Sequence, residues 1–106
     1  MPKYLFTYHG PGMPDGADEQ AAEMAAWGEW MGTHASAFLD MGAPVGSSKT
    51  VGADGITDGG GSNPATGYSL VEAADIDAAM AIAKGCPVLS RGGGTVEVGE
   101  AFEVSA

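Results

Sequence analysis

The segment Lys3–His9 constrains the fold more than any other part of the chain. Aromatic residues occupy every second position, and the positions between them are also largely apolar, in the order Tyr4, Leu5, Phe6, Thr7 and Tyr8. Alternation of aromatic and β-branched residues at period two predicts a β-strand. Because both sides of this strand are largely apolar, we expect both faces of its sheet to be covered.

Two segments have the spacing of amphipathic helices. The first is predicted from Ala17 to Met41, followed by Gly42 at the C′ position. Its apolar stripe, at intervals of three and four residues, consists of Met24, Trp27, Met31, Ala35 and Phe38. The second is predicted from the N-cap Asp75 to Lys84, where Gly85 and Pro87 prevent its continuation.

Three further segments have strand signals. Lys49–Thr57 is predicted to form a hairpin turned at Asp54-Gly55, and Gly67–Ala73 and Thr95–Val104 are predicted strands. The order strand, helix, strands, helix, strand predicts a single α+β domain over residues 1–106, with an antiparallel sheet and both helices on one face. Since two helices cover only one face, we expect a second copy of the chain to cover the other, as a homodimer.

The acidity of the chain limits its partners. Four Lys and Arg residues stand against fourteen Asp and Glu, a formal net charge of −10. Nucleic acids and anionic membrane surfaces are themselves negative, so we expect neither as a partner. No apolar run has the length of a membrane helix and the N-terminus lacks the pattern of a signal peptide, so the expected location is cytoplasmic. Cys86 is the only cysteine, which excludes an internal disulfide.

Short motifs over nearly the whole chain resemble those of the YCII-related family. In chain order they are Lys3–His9, Trp27-Gly28-x-Trp30, Gly46–Val51, Asp58–Gly60, Asn63-Pro64, Gly67–Ser69, Cys86-Pro87 and Gly93–Val98. The resemblance implies a ferredoxin-like βαββαβ fold that pairs sheet to sheet as a dimeric α+β barrel, in agreement with the element order above. It implies little about activity, because such folds host unrelated chemistries.

Two branches of that family have distinctive residues, and this chain departs from both. One branch is linked to a His–Asp pair, but Met31 stands near the place of its histidine and His34 lies almost one turn later. No acid occurs at Gly85–Pro87, near the place of its aspartate, so the pair is not carried over. The other branch has an Asp-Gly-Pro-Phe loop, of which this chain keeps Asp58-Gly59 and replaces the rest by Gly60-Gly61.

Six residues are candidates to line a small pocket between the first helix and the sheet: His9, Trp30, His34, Ser48, Asn63 and Tyr68. The two histidines are the candidate general bases, although a strand-end imidazole bonded to a carbonyl and a boundary histidine would explain them without chemistry. Trp27 lies on the helix stripe and is expected in the core, whereas Trp30 lies off its centre and is expected at the pocket. No spacing matches a metal site, so neither a metal nor a cofactor is expected.

Two functions follow as hypotheses. The first is lyase- or isomerase-type proton transfer on a small organic molecule, with His9 or His34 as the base. The alternative is a non-catalytic accessory or regulatory module that binds a small molecule or a protein partner, which the missing His–Asp pair favours. The enzyme predicts an enclosed cavity that contains a histidine, and the module predicts a filled interior with an exposed apolar patch.

Overall fold

A computed structural model describes residues 1–104 of the chain. Two helices and six strands follow one another in these residues, and a short 3-10 helix, Pro87–Ser90, precedes the last strand. The elements are β1 (Lys3–His9), α1 (Ala17–Thr33), β2 (Phe38–Pro44), β3 (Lys49–Gly52), β4 (Gly55–Asp58), β5 (Ala65–Glu72), α2 (Ile76–Ala83) and β6 (Thr95–Ala101). Over this part of the chain, neither helix has the length and hydropathy needed to cross a membrane.

Four strands form one antiparallel sheet in the order β2-β5-β1-β6. Helix α1 joins β1 to β2 across β5, and α2 joins β5 to β6 across β1. Trp30 of α1 and Ala79 of α2 belong to the same buried cluster as Phe6 of β1, so both helices cover one face. The predicted α+β class, with two helices and an antiparallel sheet, is therefore confirmed, and the arrangement is compatible with a ferredoxin-like fold.

Strand β1 has the predicted bounds and supplies the centre of the core. Its three aromatic side chains, Tyr4, Phe6 and Tyr8, are at most 4% exposed. Trp30 packs over them, with its ring centroid 6.3 Å from that of Phe6 and 6.2 Å from that of Tyr8. Large aromatic rings bury the most apolar area per residue, so this cluster dominates the packing between α1 and the sheet.

The first helix is shorter than predicted, since α1 ends at Thr33 and not at Met41. The chain turns after His34, whose carbonyl accepts a hydrogen bond from the Ala37 N–H at 2.8 Å. Phe38 then begins β2 and packs edge-on against Trp30 at 5.2 Å between ring centroids. An extended segment lets Phe38 reach the core while its backbone pairs with β5, which a continued helix could not do.

Gly42 has a different role from the predicted helix C′ residue. It has a φ of +77° within an irregular part of the β2–β5 ladder, and its N–H donates to Asp40 Oδ1 at 2.8 Å. A Cβ at this position would overlap the carbonyl oxygen of Tyr68, so only glycine fits here. Strand β2, Phe38–Pro44, thus completes the four-stranded main sheet, and sequence patterns did not predict it.

The predicted hairpin exists but lies outside the main sheet. Strands β3 and β4 pair only with each other, from Lys49 opposite Asp58 to Gly52 opposite Gly55. Its two turn residues are Ala53 and Asp54, one position earlier than predicted. Since the hairpin is inserted between β2 and β5, it extends from one end of the sheet.

The last two elements follow the prediction closely. Asp75 caps α2, with its carboxylate accepting a hydrogen bond from the Ala78 N–H at 2.8 Å. Strand β6 begins at the predicted Thr95 but ends at Ala101, before the predicted end at Val104. Phe102 and Val104 are 75% and 90% exposed and pack on no buried cluster of the described residues, so burial does not extend the strand.

The face of the sheet opposite the helices has no covering element among residues 1–104; we call it the open face. At its centre Leu5 stands opposite Leu70, and Thr7 stands opposite Tyr68. Leu5 is 41% exposed and Tyr68 is 39% exposed. On the neighbouring strand β2, Asp40 stands opposite Leu70 and Ala43 stands opposite Tyr68.

Candidate functional site

A cleft of about 610 Å³ opens where the β3–β4 hairpin joins the main sheet. Its lining consists of Gly12, Val45–Lys49, Asp58–Gly60 and Pro64–Thr66. Three of the motifs that resemble the YCII-related family, Gly46–Val51, Asp58–Gly60 and Asn63-Pro64, contribute residues to this lining. The fold therefore brings together, around one cleft, short motifs that are separated in the sequence.

Hydrogen bonds across the base of the hairpin hold the walls of the cleft in place. Gly59 N–H donates to the Ser48 carbonyl at 2.8 Å, and Thr50 Oγ1 donates to the Gly59 carbonyl at 2.7 Å. Lys49 Nζ donates to Asp58 Oδ1 at 2.6 Å, with side chains that are 69% and 91% exposed. Because such a solvated ion pair contributes little to stability, either charge can turn toward a ligand at small cost.

His9 lies directly behind one wall of the cleft, at a bulge in the β1–β5 ladder. Tyr8 pairs with Gly67 and His9 pairs with Ala65, which leaves Thr66 as the extra residue. Bulges of this kind change the direction of side chains at strand ends. Neighbouring residues of a regular strand point to opposite faces. At this bulge, however, Tyr8 and His9 are both buried, at 4% and 6% exposed.

Both ring nitrogens of His9 have partners. Nδ1 lies 3.2 Å from the carbonyl oxygen of Pro64, a residue of the cleft wall, and Nε2 lies 3.0 Å from Glu97 Oε1. A carbonyl and a carboxylate both only accept hydrogen bonds. The two bonds can therefore form together when the ring carries both protons, or when the Glu97 carboxyl carries one of them.

This geometry determines what His9 can do. Neither ring nitrogen presents a free lone pair to the cleft, so His9 is not arranged as a direct base for a ligand there. Glu97 is 72% exposed and uses one oxygen for His9. Glu97 stands opposite Thr7 and so lies on the open face. The pair can thus exchange a proton with a molecule on that face only through Glu97.

The space between α1 and the sheet, where the pocket was predicted, is filled by aromatic rings. Trp30 is 6% exposed and its Nε1 donates to the Ile82 carbonyl at 2.9 Å, which makes it a core residue. Trp27 is only half-buried, and its Nε1 donates to Glu23 Oε1 at 2.9 Å. Trp27 packs against the core as expected, with its ring centroid 4.7 Å from that of Tyr8, whereas Trp30 lies in the core and not at a pocket. His34 is the half-buried C-cap residue of α1, with its ring 6.5 Å from that of Trp30.

The other predicted site residues lie in different places. Ser48 lines the cleft, and Asn63 is exposed immediately before the cleft residue Pro64. Tyr68 lies on the open face. Of the six candidates, Ser48 thus lines the cleft, His9 and Asn63 adjoin it at Pro64, and the remaining three lie elsewhere.

Two further reactive side chains are buried in the core. Burial raises the pKa of the Cys86 thiol to about 11, so it stays protonated near neutral pH. Burial also raises the pKa of Tyr8, whose hydroxyl donates to Ser69 Oγ at 2.7 Å. Ser69 Oγ in turn donates to the Met41 carbonyl at 2.7 Å. Among residues 1–104, His, Cys, Asp and Glu form no group of three that could hold a metal ion.

Sequence reasoning missed Glu97 and Thr66 as neighbours of the site. Glu97 stands between Val96 and Val98 in an alternating strand, where an acid is the usual solvent-facing residue. Its partnership with His9 depends on the pairing of β1 with β6. Thr66 joins the site through the bulge, and neither feature has a local sequence signal.

No family model matches the chain, and no curated protein matches its sequence. The resemblance to the YCII-related family therefore remains a prediction from the motifs.

Proposed function

We propose that this chain is a homodimeric binding module of the YCII-related, ferredoxin-like kind, and that it takes a small organic molecule in the cleft at the base of the hairpin. The observation that carries the proposal is the meeting of three separate motifs around that cleft. Its volume is within the range of about 300–1,000 Å³ that is typical of small-molecule sites.

Most of the surface that lines the cleft is apolar, and a few polar groups are available to orient a ligand. Ser47, Ser48 and Thr66 supply hydroxyls, and Lys49 and Asp58 supply one charge of each sign. A small molecule with both hydrogen-bond donors and acceptors, such as a hydroxy acid or an amide, can pair with this set.

A binding experiment tests the cleft directly. Small organic acids, amides and aromatics would be added to ¹⁵N-labelled protein, and amide shifts would be mapped by NMR. We expect a binder to shift the amides of Ser48, Gly59 and Gly60, and Ser48→Phe to abolish binding by filling the cleft. Ser36→Phe, at an exposed position after α1, is the matched control and should bind as wild type does. Shifts confined to other surfaces, or binding that survives Ser48→Phe, would refute the site.

Two properties of the single chain support the homodimer. The first is the open face, which has no covering element among residues 1–104 and exposes Leu5 and Tyr68 at its centre. The second is the total surface: the 10.6 kDa chain exposes 6751 Å², whereas a folded monomer of this mass usually exposes about 5500 Å². The difference, about 1300 Å², exceeds the ~800 Å² that each partner covers in a standard interface.

The open face can be tested with a charge placed at its centre. Leu5→Glu should convert the dimer to a monomer in sedimentation equilibrium, because a carboxylate would have to be desolvated between two sheets. Met24→Glu is the control, since Met24 is a 64% exposed apolar residue on α1, on the helix side of the sheet. A Leu5→Glu variant that stays dimeric would show that the open face is not the interface.

The His9–Glu97 pair favours a second candidate function, proton transfer on a small molecule bound between the two sheets of the dimer. Glu97 would accept a proton from a carbon or oxygen acid, with His9 holding its carboxylate in place and sharing the charge. The test is deuterium exchange into small carbonyl compounds in D₂O, followed by NMR. Glu97→Gln should abolish exchange and His34→Gln should leave it unchanged. Exchange that is no faster than without protein would exclude this function.

A further inference from the structure

The β3–β4 hairpin and its turn, Lys49–Asp58, project from the sheet as an arm. All ten of its residues are exposed. Val51 and Ile56 stand directly opposite each other on one side of the arm and are 77% and 68% exposed. On the other side, Thr50 stands opposite Thr57. The arm thus has one apolar side and one hydroxyl side, and neither packs against the rest of the described chain.

An arm of this kind needs support beyond its own hydrogen bonds. A two-stranded hairpin is marginally stable at best in water, and at least a third strand or a packing partner is needed. The side-chain contacts that hold this hairpin, Lys49 to Asp58 and Thr50 to Gly59, all lie at its base. Apart from its backbone pairing, the middle of the arm thus has no side-chain hydrogen bond among residues 1–104.

The open face alone has a small area for a dimer interface. Four strands about 4.8 Å apart and seven residues at about 3.3 Å each give the sheet a footprint of about 450 Å². Accessible surface follows the side chains and is somewhat larger than a planar footprint, but this footprint is small beside the ~800 Å² of accessible surface that each partner covers in a standard interface. The molecule measures 46 and 41 Å in its long dimensions against a thickness of 21 Å. The arm, all of whose residues are exposed, contributes to the surface excess outside the sheet.

We infer that the Val51–Ile56 side of the arm packs on a second copy of this chain, reciprocally in the two halves of the dimer; this inference rests on the homodimer proposed above. By two-fold symmetry each arm would add one contact, so that two equal contacts flank the paired open faces. The charged residues of the arm lie away from the Val51–Ile56 pair. Lys49 and Asp58 are at its base and Asp54 is at its turn, so the contact that we infer is made by uncharged side chains.

The test compares two neighbouring substitutions that add the same charge to opposite sides of the arm. Ile56→Asp should raise the dimer dissociation constant by at least about tenfold, and Thr57→Asp by less than about threefold, in sedimentation equilibrium at matched salt. Circular dichroism should show both variants folded, because the arm lies outside the core.

The outcomes separate this inference from the proposal on which it depends. A wild-type protein that is monomeric refutes the homodimer itself. A dimeric wild type whose affinity is equally affected, or equally unaffected, by the two substitutions leaves the homodimer in place and overturns the role of the arm. Should a variant fail to fold, hydrogen exchange on wild type decides: the Val51 and Ile56 amides should be protected above the dissociation constant and exchange freely below it, and equal exchange overturns the inference.

Discussion

The buried hydroxyl chain from Tyr8 through Ser69 to the Met41 carbonyl predicts that two ways of deleting one hydrogen bond have unequal effects. The chain links β1, β5 and β2 inside the core, through two bonds of 2.7 Å. Tyr8 is 4% exposed and Ser69 is fully buried. Water therefore cannot readily replace a partner that is removed.

The magnitudes follow from which group is left unpaired. Tyr8→Phe removes the phenol hydroxyl while Ser69 keeps its bond to Met41, so we expect a loss of about 1 kcal/mol, the net value of an ordinary hydrogen bond. Ser69→Ala leaves the buried Tyr8 hydroxyl without an acceptor, which costs about 1–3 kcal/mol more. In a domain of this size each kcal/mol lowers the Tm by about 4–8 °C.

The assay is thermal unfolding followed by circular dichroism, at one protein concentration because the Tm of a dimer depends on concentration. The double variant Tyr8→Phe/Ser69→Ala should be more stable than Ser69→Ala alone, since the phenylalanine removes the unpaired hydroxyl. A double variant that is less stable than Ser69→Ala, or a Ser69→Ala variant no less stable than Tyr8→Phe, would refute the reasoning.

Three further predictions concern single positions. Gly42→Ala should lower the free energy of unfolding, measured by urea titration, by at least about 2 kcal/mol, because the positive φ of Gly42 and the Tyr68 carbonyl exclude a Cβ. The control Gly28→Ala, in α1 with open space around it, should raise the free energy of unfolding by up to about 1 kcal/mol. Asp75→Ala should lower the free energy of unfolding by about 1 kcal/mol, because it removes the N-cap of α2. Asp75→Asn should keep most of the stabilisation that the cap provides, since asparagine is also a good N-cap residue. The Cys86 thiol, with its pKa raised to about 11, should react with a disulfide reagent at pH 8 at least about 100-fold more slowly in the folded than in the unfolded chain. Equal labelling rates would contradict a buried, protonated thiol. Because the fold favours the neutral thiol, the contribution of Cys86 to stability is present below the ordinary thiol pKa and is lost as the pH rises through about 11.

Strand β1 and helix α2 could be predicted because their signals are local. Alternation of aromatic residues defines the strand, and an Asp75 carboxylate at the first turn defines the start of the helix. Strand β2 could not be predicted in the same way. Phe38 continues the spacing of the helix stripe and Gly42 resembles a helix stop, whereas the strand depends on pairing with β5, which is distant in sequence.

The burial of Trp30, which was expected at a pocket, has the same cause. The predicted stripe included Ala35 and Phe38, which lie beyond the end of α1 at Thr33, and so the centre of its apolar side was misplaced. At the candidate site, too, residues with a local signal could be predicted and residues brought together by strand pairing could not. Ser48 could be found from a motif, but the His9–Glu97 pair arises from a bulge and from the pairing of β1 with β6, and neither can be recognised in a local segment.

The measurement that tests the central claim most directly is the mass of the wild-type protein in solution, determined by sedimentation equilibrium over a range of micromolar concentrations. The account predicts a mass of twice the 10.6 kDa of one chain, with dissociation only on dilution. A mass of 10.6 kDa at every concentration would contradict it, because the open face and the arm would then be exposed to water in the working form of the protein.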